Sequence, residues 1–66
     1  MNYSYLDQVA KNKGYTREQL AKGINMSYVS LSKRIIGRIE FNIGELRRIK
    51  DFLDLTTEEF EIIFLK

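Results

Sequence analysis

Thr16 to Gly37, TREQLAKGINMSYVSLSKRIIG, is the stretch on which the reading of this chain turns. Thr16 has the chemistry of an N-cap, and Gln19 three residues on completes a capping box that satisfies two otherwise orphan backbone donors. Leu20, Ala21 and Ile24 then fall on one helical face. Asn25 stands where that helix must end, and Asn is one of the few residues besides Gly that tolerates the left-handed conformation of a sharp turn. Met26 follows as an apolar plug. Ser27 is placed to cap a second helix, in which Leu31 and Ile35, four apart, point inward while Tyr28, Ser32 and Lys33 point out. Gly37 ends this helix as a left-handed residue.

Two short helices joined by a tight turn are the layout of a DNA-reading helix-turn-helix. The pattern Thr-x-x-x-Leu-Ala, then Asn25, an apolar residue and Ser27, resembles that of the phage repressor and Cro-type (XRE) helix-turn-helix family, and it fits without a gap from Thr16 to about Phe60. The run Leu31-Ser32-Lys33-Arg34-Ile35-Ile36-Gly37-Arg38-Ile39-Glu40-Phe41 also looks like the small phage-encoded Cro-like branch. Asn25 replaces the commoner Gly, Ile36 stands where relatives often carry Asn, and Arg34 falls where many have an apolar residue. The resemblance implies an all-α, compact five-helix, lambda-repressor-like DNA-binding domain, and a regulator that occupies a palindromic operator on double-stranded DNA as a homodimer.

A recognition helix turns its amino-terminal half toward base edges, so Ser27, Tyr28, Val29, Ser32 and Lys33 are the expected base contacts. Lys33 is the foremost, because Lys donates to guanine O6 and N7 and the resemblance puts a base-reading residue there. Val29 fits a thymine methyl. Tyr28 has two readings, a base or phosphate contact and partial packing over the preceding helix. Phosphate contacts are expected from Thr16 and Arg17 at a helix amino terminus, where free backbone donors and the dipole favour an anion, and from Lys13, Lys22, Ser30, Arg34 and Arg38. By the resemblance, Arg17 holds the position of a phosphate-bonding Gln.

The charge is divided in a way that supports this reading. The 66 residues carry only +2 overall, yet residues 11–38 hold seven Lys and Arg against Glu18 alone, whereas residues 39–66 hold four against seven Asp and Glu. The positive charge lies over the two helices, where phosphate neutralisation needs it. With 44% apolar and 30% charged residues the composition is that of a globular domain with one core, expected to span residues 1–66. No apolar run is long enough to span a membrane and no signal core is present, so a cytoplasmic location is expected. The chain has no Cys and no His, which removes the commonest metal ligands and the commonest general base. Glu58, Glu59 and Glu61 read as a solvated helix face, and the four scattered glycines form no phosphate loop. Neither an enzyme nor a cofactor or small-molecule ligand is expected.

Three further helices complete the expectation. One runs from about Tyr3 to Lys13, burying Leu6, Val9 and Ala10 and stopping at Gly14. Another starts with Asn42 as cap and aligns Leu46, Ile49 and Leu53, with Phe52 at the side and Gly44 a weak point in its first turn. Asp54-Leu55 links to the last, which opens with the capping box Thr56-x-x-Glu59 and carries Phe60, Ile63 and Phe64 on one face. Ile62 and Leu65 exceed what one face needs and are the expected dimer contacts. The competing class is a protein-interaction module, such as an anti-repressor or antitoxin, which the acidic, apolar second half would suit. A purely structural bundle explains the helices but not the charge division.

Overall fold

In a computed structural model, which describes residues 2–66, five α-helices and no strands form around one buried cluster. They are α1 (Tyr3–Asn12), α2 (Arg17–Gly23), α3 (Tyr28–Ile35), α4 (Ile43–Leu53) and α5 (Thr57–Phe60), the last running on into a wider π-helical turn, Glu61–Leu65. Every helix start carries a side-chain cap: Asn2, Thr16, Ser27, Asn42 and Thr56 each accept from a backbone N–H three residues on. At Thr16 and Thr56 the reciprocal bond from the capping box is present as expected. At Asn42 it is present too, supplied by Glu45, an Asn-x-x-Glu signature beyond the two boxes expected.

The helix ends follow one rule. Gly14, Asn25, Gly37 and Asp54 all adopt positive φ, at 96°, 61°, 88° and 51°. After each of them the next residue donates its N–H back five positions: Tyr15 to Ala10 (2.8 Å), Met26 to Ala21 (2.8 Å), Arg38 to Lys33 (2.9 Å) and Leu55 to Lys50 (3.0 Å). This is the Schellman closure, and it turns the chain sharply while satisfying the orphan carbonyls. Asp54 therefore ends α4 rather than serving as a plain linker. Gly23 is constrained differently: a Cβ there would come within 2.3 Å of the Phe52 ring, which packs on the α2 terminus and tilted against Tyr15, centroids 4.8 Å apart.

The core takes Leu6, Val9 and Ala10 from α1, Leu20, Ala21 and Ile24 from α2, Leu31 from α3, Ile49 and Leu53 from α4, and Leu55, Ile63 and Phe64 beyond it. Ile35, Met26 and Phe60 pack half-buried at its edge. Phe41 packs edge-on against both Tyr3 (5.3 Å) and Phe64 (5.7 Å), which ties the segment between α3 and α4 to α1 and the last turn. With α2 and α4 behind it and Phe41 anchoring the exit, α3 keeps one side free for solvent.

Candidate nucleic-acid interface

The helical period sorts the side chains of α3 into rows. Leu31 is buried and Ile35 half-buried, forming the inward row. Val29 and Lys33, four apart, are exposed and form the outermost row, which Ile36, 65% exposed, extends. Tyr28 and Ser32 form a third row on the side facing α2, and Ser30 and Arg34 a fourth facing α4. The sequence treated these as two sets, base-facing and phosphate-facing; the structure spreads them over three directions.

The row facing α2 meets Arg17. The Arg17 Nε donates to Asp7 Oδ1 (3.2 Å), Nη2 donates to Asp7 Oδ2, and Nη1 donates to Ser32 Oγ (3.1 Å), while the guanidinium carbon lies 5.9 Å from the centroid of the Tyr28 ring. The hydrogen bond to Asp7 holds the Arg17 pKa above its ordinary value against the opposing effect of burial. Expected from the sequence as a phosphate ligand, Arg17 is here engaged on all three nitrogens within the protein. Tyr28 remains half exposed, with one side against Arg17.

The row facing α4 meets Glu45. Arg34 Nε donates to Glu45 Oε1 (3.0 Å) and Nη1 to the Ser30 carbonyl (2.9 Å), and the same Glu45 oxygen accepts the Asn42 N–H (2.9 Å). Burial pushes the Glu45 carboxyl up, but the bonds from Arg34 and the Asn42 N–H outweigh it and leave its pKa below the ordinary value. Arg34, also expected at phosphate, is thus turned inward to tie α3 to the start of α4. The half-buried Ser30 sits on the same side.

Other expected contacts are dispersed as well. Ser27 Oγ accepts from the Ser30 N–H (3.0 Å) and so caps α3. The Thr16 N–H donates to Gln19 Oε1 (2.9 Å) and the Gln19 N–H to Thr16 Oγ1 (3.1 Å), so the capping box occupies two donors at the end where an anion was expected. Lys13 reaches the other way, to Glu59 Oε1 at 3.5 Å. Lys22, Lys33 and Arg38 are exposed and outside the ion pairs found among the described residues. Asp7 and Glu45 were missed. Glu45 was legible as the third residue after an Asn cap; nothing local marked Asp7, since its partner is ten residues away.

A family model described as helix-turn-helix matches residues 6–60, most of the chain. The chain belongs to the XRE-type helix-turn-helix family. Comparison with curated proteins and with solved structures finds no match. Membership in this family makes the protein a DNA-binding regulatory domain of the helix-turn-helix class, with α2 and α3 as the paired helices and α3 in the place of the recognition helix. Among the described residues no cluster of acidic side chains has the arrangement to hold a metal ion, and no helix is long and apolar enough to cross a membrane.

Proposed function

We propose that this helix-turn-helix protein is a sequence-specific transcriptional regulator of the Cro-like, phage-encoded kind, which represses by occupying a palindromic operator and blocking polymerase. The observation that carries the reading is the outer row of α3. Val29 and Lys33 are exposed, flanked by Tyr28 and Ser32, on the second helix of the motif, the one that enters the major groove in helix-turn-helix docking. Lys33 offers an ammonium donor to guanine O6 and N7, Val29 a methyl contact for thymine, and the exposed Lys22 and Arg38 serve phosphates on either side.

A single copy contacts only a short half-site, so two copies are needed for affinity and length of site, with recognition helices about 34 Å apart in successive major grooves. Ile62 and Leu65 are the proposed dimer contacts. Leu65 is 67% exposed and Ile62 half-buried, both on the last turn, which supports such a role without engaging the core residues Ile63 and Phe64. The exposed Ile36, Ile39 and Ile43 favour a second reading, a protein partner docking on the α3–α4 segment.

Selection of bound duplexes from a random pool tests the proposal. A palindromic consensus is the expected result, and Lys33→Ala should relax the preference at one position of each half-site at a cost of about 1–3 kcal/mol. No enrichment, or enrichment untouched by Lys33→Ala, would sink the assigned docking. Binding to random duplex that does not weaken with salt would favour the protein-partner reading instead.

A further inference from the structure

Asp7 lies on α1, outside the two helices of the motif, and a carboxylate beside a DNA-reading face is electrostatically unfavourable. Its place becomes intelligible through what it holds. Both Asp7 oxygens accept from Arg17, and this fork-to-fork contact orients the guanidinium plane, leaving Nη1 directed at Ser32 Oγ, 3.1 Å away. A guanidinium can only donate, so Ser32 accepts, and the one proton of its hydroxyl is turned away from Arg17.

We infer that Asp7 is a positioning residue for the recognition face: by holding Arg17 in place it makes the Ser32 hydroxyl a directed hydrogen-bond donor toward DNA. The inference rests on the DNA-reading role of α3 proposed above. A serine hydroxyl free to rotate pairs with donors and acceptors alike and discriminates poorly. With one of its two lone pairs taken by Arg17, Ser32 offers its proton to acceptors such as purine N7, guanine O6 or thymine O4 and keeps a single lone pair for the amino groups of adenine and cytosine, so the balance shifts toward acceptors. Arg17 thus serves specificity through Ser32 while its charge is neutralised by Asp7.

This arrangement predicts an unusual signature. Asp7→Asn removes a negative charge near the groove and frees the positive charge of Arg17, so binding to a scrambled duplex should hold or tighten and its salt slope should steepen by about one. Discrimination should nevertheless fall. In the full-length protein, titrated against the duplex recovered by selection and against a scrambled one, Asp7→Asn should reduce the ratio of the two affinities by about fivefold, the equivalent of one hydrogen bond. Ser32→Ala should give the same reduction, and the double variant no more than either alone.

An unchanged ratio in Asp7→Asn, losses that multiply in the double variant, or parallel weakening on both duplexes would overturn the inference. Ser32→Ala touches no core residue and reads the same link should Asp7→Asn fold poorly; an unchanged ratio there overturns it as well. If the wild-type protein enriches no sequence at all, the DNA-reading proposal fails and this inference with it. Enrichment by the wild type together with an indifferent Asp7→Asn removes the positioning role alone.

Discussion

Helix α3 is held on its two flanks by the same chemistry, an arginine on a carboxylate, in two different surroundings. Toward α4, Arg34 and Glu45 expose only 17% and 6% of their side chains; toward α1, Arg17 and Asp7 expose 27% and 35%. Glu45 also closes the capping box of α4, so one carboxylate serves a helix start and an interhelical tie together. Asp7 has no such second duty, and its partner reaches on to Ser32 and Tyr28. The dry pair serves the fold, because removing one partner strands a charge out of water, whereas the wetter pair can change at small cost to stability and so is free to serve recognition.

Breaking the dry pair should give the largest effect. Glu45→Ala leaves the Arg34 guanidinium without its partner and the Asn42 N–H without its acceptor, and should lower stability by about 3 kcal/mol in urea unfolding. For a domain of this size that is a large part of the total. A loss below about 1 kcal/mol would show that the pair behaves as a surface bridge and would erase the contrast.

Acid should test the dry pair as well. Glu45 and Glu59 have folded-state pKa values below their ordinary ones, Glu45 through Arg34 and Asn42 against the effect of burial, Glu59 through the Thr56 N–H and Lys13. A carboxyl depressed in the folded state contributes stability that is fully present above its unfolded pKa and is lost as pH falls through the folded value. Thermal melts should therefore be level near neutrality and decline as pH drops through the glutamate range near ~4.3 and below it. Glu45→Gln should flatten much of that decline; an unaltered acid limb would assign it elsewhere.

A smaller effect is expected behind the motif, where Gly23 meets the Phe52 ring. The Cβ of Gly23→Ala must displace that ring from its place against Tyr15, at a cost of about 1–2 kcal/mol that the helix propensity of Ala offsets only in part. Unchanged stability in calorimetry would mean that the ring rotates aside freely. The smallest change in stability belongs to the wetter pair. Asp7→Asn should cost less than about 1 kcal/mol and the difference should shrink in high salt, because a pair this accessible is screened. A salt-independent loss would place it beside Arg34–Glu45 and break the comparison.

Much of the backbone was legible. Thr16, Ser27, Asn42 and Thr56 announced helix starts, and Gly14, Asn25 and Gly37 announced ends, because caps and left-handed turns are local chemistry resolved within a few residues. Asp54 was not legible as such an end, since Asp adopts the left-handed region only where the surrounding chain holds it. Nor was the wide turn at Glu61–Leu65, which follows from packing Ile63 and Phe64 inward against α1. For the candidate site, exposure of Tyr28, Val29 and Lys33 followed from helical periodicity. The inward commitments of Arg17 and Arg34 did not, because a basic residue near an acidic one in space looks like any other surface cation in the sequence.

From sequence alone came the helix order, the turn between α2 and α3, the core stripe and the basic bias of residues 11–38, all of which depend on spacing and composition. Tertiary structure decided which cations are turned inward and which outward. Asp7 with Arg17 and Arg34 with Glu45 are separated by ten and eleven residues, and only the docking of α1 and α4 against the motif brings each pair within hydrogen-bonding reach. Whether an arginine faces DNA or its own protein depends on that docking, since the energy of a charge is set by its neighbours and its access to water rather than by its place in the chain.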